Sequence, residues 1–187
     1  MNSKVDSGCK EFLEAIANED RAAVIALLQD KQNNNCRNEA GVTGLMIAAD
    51  RGYDEIIKNL LEAGAEIDAK DYGGMTALMT AACSGKASCV KILLEMRSDV
   101  RILANDGSSP LMYAVLSGQP EVVKLLLDAG ASTDIINNCG MTALKLAIDN
   151  RYRNIWQMLK RTPDNDYTKI IKLLEGKTKF DRQQFDY

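Results

Sequence analysis

The chain has 187 residues, 46% hydrophobic and 26% charged, with a formal net charge of -3, an ordinary composition for a globular chain. It contains no histidine, which removes imidazole metal ligands, His-activated Ser or Cys nucleophiles and the commonest general base. No apolar run approaches the roughly 20 residues of a membrane-spanning helix, and the opening MNSKVDSGCKEF lacks the apolar centre of a secretory signal, so a cytoplasmic or nuclear protein is expected.

The first 37 residues hold CKEFLEAIA, a loose version of a pattern that sharpens afterwards. Gly41, Gly74, Gly107 and Gly140 recur every 33 residues, and Gly8 precedes them at the same interval. Thr43, Thr76, Ser109 and Thr142 follow two places after each glycine, then Leu45, Leu78, Leu111 and Leu144. Ala15, Ala48, Ala81, Ala114 and Ala147 form another column, as do Leu27, Leu60, Leu93, Leu126 and Leu159. Such self-similarity marks stacked repeats. The copies are read as residues 5–37, 38–70, 71–103, 104–136 and 137–162, an array occupying 1–165.

Each copy has the same physical plan. Thr or Ser caps a short first helix, its oxygen accepting from the free N–H groups of the first turn. Alanines on that helix let a neighbour approach closely. Gly52, Gly85 and Gly118 permit a tight turn, and a second amphipathic helix follows, as in DEIIKNLLEAG and PEVVKLLLDAG. Gly64 and Gly130 stand where a left-handed helix end is expected. Turn-forming residues then predict a projecting hairpin. One copy alone leaves half its apolar surface uncovered, so stacking must complete the core.

The blocks TGLMIA, TALMTA, SPLMYA and TALKLA, at a 33-residue period, resemble the ankyrin repeat. That resemblance covers residues 8 to about 162. It implies an all-α solenoid of stacked antiparallel helix pairs with short hairpin tips. Met46, Met79, Met112 and Lys145 replace the histidine of the family signature, which implies loss of its hydrogen bonds. Gly44 replaces a common proline and is expected to loosen the first turn there. Arg97 takes the place of Gly64 and Gly130 and should carry a strained left-handed backbone. Arg151 takes the place of the inner turn glycine.

Beyond the array, DYTKIIKLLEGK predicts a helix over 166–176, read as a C-terminal cap lying over the fifth copy, with 177–187 as a flexible tail. Gly176-Lys177-Thr178 lacks the earlier glycine and preceding strand of a phosphate loop, and is read as a helix end. Five cysteines without a C-x-x-C pair predict free thiols rather than a disulfide framework or a zinc module. Residues 145–182 carry 10 basic against 5 acidic side chains, but a sequence pI near 5.1 and no basic motif interleaved with aromatics argue against nucleic-acid binding.

What remains is surface. In the family, hairpin tips and the concave face of the first helices bind protein partners, which implies a site here at Tyr72, Met75, Cys83, Leu103, Asp106, Ser108, Leu116, Ile136, Asn138, Met141 and Asp149. Met75, Cys83, Leu103, Leu116, Ile136 and Met141 are apolar where exposure is expected, and a contiguous apolar patch marks an interface. The expected function is a non-enzymatic scaffold or adaptor, a monomer with no catalytic residues, metal, cofactor, nucleic acid or membrane. Two rival readings are a regulatory or targeting module acting on an enzyme such as a kinase, and an enzyme with a thiol site near Cys83.

Overall fold

A computed structural model describes residues 3–158 and 167–177. Helices α1 (Ser3–Ala17), α3 (Gly44–Arg51), α5 (Ala77–Cys83), α7 (Pro110–Ser117) and α9 (Ala143–Met158) pack side by side as an inner layer. Helices α2 (Arg21–Leu27), α4 (Asp54–Glu62), α6 (Ala87–Glu95), α8 (Pro120–Asp128) and α10 (Tyr167–Glu175) form the outer layer. A 3₁₀ turn (Lys31–Asn35) follows α2, and the described residues contain no strand beyond one isolated antiparallel bridge, Arg37 to Thr43. The expected all-α stack of helix pairs is therefore the observed fold.

Local chemistry starts each inner helix. The hydroxyls of Thr43, Thr76 and Ser109 each accept from the backbone N–H three residues on, at 3.3 Å, and Thr142 does the same for Lys145 at 3.2 Å. A cap of this kind contributes about 1 kcal/mol. Met46 partly restores what a histidine would have given, because its sulfur accepts from the Thr43 N–H at 3.5 Å. Between these helices the core is thin. Ala48, Ala81, Ala114 and Ala147 are wholly buried, so backbones approach across small side chains. The outer helices bury a repeated triplet instead: Ile56, Ile57 and Leu60, then Cys89, Val90 and Leu93, then Val122, Val123 and Leu126.

Gly44 is required by packing. A β-carbon there would meet Cδ1 of Ile16 at 2.5 Å and Cε1 of Phe12 at 3.3 Å. The missing side chain is what lets α1 lie against α3. Arg97 is left-handed as expected, with φ of 67°. Its N–H and that of Ser98 close the end of α6 on the carbonyls of Leu94 and Leu93.

The fifth helix pair departs from the register. Glu19 and Arg151 both occupy the inner-turn column of Gly52, Gly85 and Gly118. Glu19 still turns, with φ of 59°, because Asp20 follows and its carboxylate caps Ala23 N–H at 3.0 Å. Arg151 has neither glycine nor a capping residue after it, and α9 runs straight through to Met158. Ile155 and Trp156, which the register assigns to a second helix, lie within α9 instead. The outer place beside α8 is taken by α10, which buries Ile170, Ile171 and Leu174 at the same spacing as the other outer helices. It packs against both α9 and α8, at the C-terminal end of the described stack. Leu159 and the array end expected at 162 and 165 lie outside the described residues, as does the tail beyond 177.

One cysteine expectation is overturned. Cys9 of α1 is disulfide-bonded to Cys36, just after the 3₁₀ turn, with Cα atoms 5.3 Å apart. Cys83, Cys89 and Cys139 are free. Spacing along the chain carried no sign of the pair, because the turn at 31–35 folds Cys36 back onto the first helix.

Candidate protein-binding groove

Each hairpin projects from the end of one outer helix toward the start of the next inner helix, and hydrogen bonds across one repeat tie the tips in a row. Tyr72 N–H donates to the Ala40 carbonyl, Asn105 N–H to Gly73 and Asn138 N–H to Asp106, at 3.1, 3.0 and 2.9 Å. The Asn105 and Asn138 side-chain amides repeat the link, donating to the carbonyls of Tyr72 (2.8 Å) and Asn105 (3.1 Å). Gly74 must be glycine twice over. Its φ is +78°, and a β-carbon would meet Asn105 N at 2.6 Å. Tip spacing is therefore set by backbone contact and not by flexible side chains.

The expected site residues fall into distinct rows. Cys83, Leu116 and Asp149 share one column on α5, α7 and α9, preceded by Ala17 on α1 and Asp50 on α3. Cys83, Leu116 and Asp149 are exposed, Leu116 at 44%. Leu103 and Ile136 form a second row where hairpins begin. Leu103 is half-buried, with its carbonyl taking Lys70 Nζ at 3.1 Å, while Ile136 is 64% exposed. Tyr72 is 73% exposed, its ring against Gly41. Asp106 and Asn138 are exposed on the tips, and Met75 and Met141 are half-buried beneath them.

Ser108 is a correction. It is buried, and its hydroxyl donates to Asp106 Oδ2 at 3.0 Å while accepting from Asn137 Nδ2 at 3.2 Å. It braces two neighbouring hairpins and offers nothing to a ligand. The apolar patch expected across the third to fifth copies includes Met75, which lines one of two clefts in the first half of the array. One of about 390 Å³ is lined by Val42, Met46, Ile47, Asp50, Asp71 and Met75, among others. Another of about 710 Å³ is lined by Leu13, Glu14, Arg37 and Glu39, among others, and Ala17 borders both. Ile47 and Met46 carry ordinary helical spacing, so only the neighbouring hairpin shows that they floor a groove.

Two carboxylates on this face are held by hydrogen bonds. Asp50 accepts from Ser84 Oγ at 2.5 Å, and Asp71 Oδ1 accepts the N–H groups of Gly73 and Met75 at 2.8 Å each. Tyr113 Oη lies 3.5 Å from both Asp106 oxygens. Burial first, then the Asp106 charge, pushes that phenol up to about 12. Cys89 is also held as a thiol. Burial and the Asp54 carboxylate, 3.0 Å away, push it up to about 12, the opposite of what an activated nucleophile needs. No group of three or more His, Cys, Asp or Glu side chains placed to hold a metal occurs among the described residues, nor does any helix long and apolar enough to cross a membrane.

A comparison with curated proteins finds no significant match. A family model described as ankyrin repeats (3 copies) matches residues 12–104 and 96–171. Repeats of this kind generally mediate protein–protein interaction and are typically non-enzymatic. With that match running over most of the chain and two layers of stacked helix pairs beneath it, the chain belongs to the ankyrin repeat family.

Proposed function

We propose that the chain is a non-enzymatic scaffold or adaptor that grips a partner protein along the inner-helix row and the hairpin tips. The observation that carries this reading is the exposed apolar pair Cys83 and Leu116 at the centre of that row, whose member Asp50 also lines the groove formed by Met46, Ile47 and Met75. Apolar side chains held outward on a rigid layer lose little conformational freedom on binding, and methionine adapts to what it meets. The module acts as a monomer and by occupancy, localising or blocking its partner, an enzyme such as a kinase included.

The test pairs Cys83→Gln with Leu116→Gln, which removes apolar character without adding charge. A partner recovered from the source cell by pull-down and mass spectrometry should lose binding to this variant, while circular dichroism and melting stay as in the wild type. Undiminished binding by the folded variant would reject this face.

A further inference from the structure

Cys9 and Cys36 join the first helix of the stack to the segment that leads into the second copy, and the two sulfurs have unlike surroundings. Cys9, on α1, is half-buried and lines the cleft of about 710 Å³ together with Leu13 and Arg37, among others. Cys36 is only 3% exposed. We propose that this pair is a reversible thiol–disulfide switch, worked by a small thiol or disulfide that enters the cleft and reacts at Cys9, and that it sets how firmly α1 is held to the stack. The proposal stands whether or not a partner lies along the inner row.

A switch needs two folded states, and the surroundings of the pair provide for both. In the dithiol state α1 keeps its apolar anchors, since Phe12, Leu13, Ala15 and Ile16 are buried and Gly44 leaves room for Ile16. The Gln32 carbonyl and Asn33 Oδ1 each lie 3.8 Å from Cys36 Sγ, placed to accept its S–H once the bond is open. In the disulfide state α1 is tethered to a segment that is itself anchored. Arg37, the next residue, bridges to Thr43, donates to the Lys70 carbonyl at 2.5 Å and pairs with Glu66 at 3.7 Å. The bond thus ties α1 to the hairpin of the following copy. A terminal element of a stacked array has a neighbour on one side only, so the tether acts where local opening is easiest.

The exchange balances without any further reagent. The Cys9 thiolate attacks one sulfur of glutathione disulfide, forming a mixed disulfide and releasing one glutathione thiolate. The Cys36 thiolate then attacks the Cys9 sulfur, closes the internal bond and releases the second. The two protons lost by the protein thiols end on the two glutathiones. Reduction runs the same steps backward, with the incoming thiolate attacking Cys9 and Cys36 leaving. Cys9 takes the outer role in both directions because it is the sulfur on the cleft, and reaction rates depend on access.

The test treats the reduced, folded chain with glutathione disulfide, quenches it with acid at intervals, caps it with N-ethylmaleimide and maps peptides by mass spectrometry. A mixed disulfide at Cys9 should rise and then decay as the Cys9–Cys36 bond appears, while the exposed Cys83 and Cys139 keep theirs. In Cys36→Ser the Cys9 adduct should persist, and in Cys9→Ser Cys36 should stay unmodified long after Cys83 has reacted. Excess reduced glutathione should reopen the bond in the folded chain. On reduction, hydrogen exchange of the α1 amides should quicken roughly tenfold or more, with α5 and α7 unchanged. Modification of Cys36 as fast as Cys83 overturns the proposal. So does a bond that glutathione opens only in denaturant, equal α1 exchange in the two states, or a reduced chain that circular dichroism finds unfolded. The wild-type time course needs no variant, so a substitution that fails to fold leaves the test decisive.

Discussion

Ile16 occupies the space that a side chain on Gly44 would need: a β-carbon there would stand 2.5 Å from its Cδ1. Ile16 is wholly buried, so it cannot swing away. Gly44→Ala should therefore destabilise the protein by about 1 kcal/mol, an overpacking cost of ~1–3 kcal/mol less a gain of up to ~1 kcal/mol in helix propensity. Ile16→Val removes the clashing carbon. A double-mutant cycle in urea should show Ile16→Val costing ~0.5–1.5 kcal/mol in the wild type and clearly less in the Gly44→Ala background. Strict additivity would mean that the two helices do not touch there.

Arg97 bears a side chain at a left-handed position where the equivalent residues are Gly64 and Gly130, with φ values of 90° and 86°. Arg97→Gly should stabilise by about 1 kcal/mol. Gly130→Ala should cost a similar amount through backbone strain, because open space surrounds that position. Chemical denaturation of both variants checks the pair, and an Arg97→Gly protein no more stable than the wild type would mean that the Arg97 side chain has a compensating role.

The Cys9–Cys36 bond closes a loop with a sequence separation of 27, for which chain entropy gives a stabilisation of roughly 3–4 kcal/mol. Treatment with a dithiol reductant should lower the melting temperature of the wild type and leave a Cys36→Ser variant unchanged. Non-reducing mass spectrometry should find the pair oxidised in air. In a reducing cytoplasm the dithiol form is the one to expect, with α1 held by the burial of Phe12, Leu13, Ala15 and Ile16.

Cys89 and Tyr113 are each raised to about 12 in the folded chain, from ordinary values of 9.0 and 10.0. The folded state keeps their protons where the unfolded state has lost them. Their stabilising share is complete below pH 9 and falls as pH rises toward 12. Stability measured across that range should decline, and Cys89→Ser should flatten the decline. Below pH 9 the iodoacetamide reaction should mark the exposed Cys83 and Cys139 and spare Cys89.

Much of the architecture was legible because each signal answers a local demand of the backbone. Thr43, Thr76 and Ser109 satisfy free N–H groups three residues away, and Gly52 and Gly118 supply turns that most residues resist. The alanine column was legible because a thin interface needs small residues at a fixed interval. What stayed hidden depends on partners far along the chain. Gly44 answers to Ile16 across two helices, and Ser108 is buried because Asn137 of the following hairpin closes over it. The displaced outer helix α10 follows from a missing break at Arg151, whose consequence the repeat register alone does not show. At the candidate site, the helical row of Cys83, Leu116 and Asp149 was readable as a column. The groove beside Met46 and Ile47 was not, since periodicity cannot tell a floor residue from a core one.

The central claim is that a partner lies across the inner-helix row, and Cys83 is a built-in reporter at its centre. The direct measurement is the alkylation rate of Cys83 in the free chain and in the complex with the partner recovered from the source cell, followed by peptide mass spectrometry. Strong protection of Cys83 in the complex is the predicted result. Labelling of Cys83 at the free-chain rate with the partner bound would contradict it.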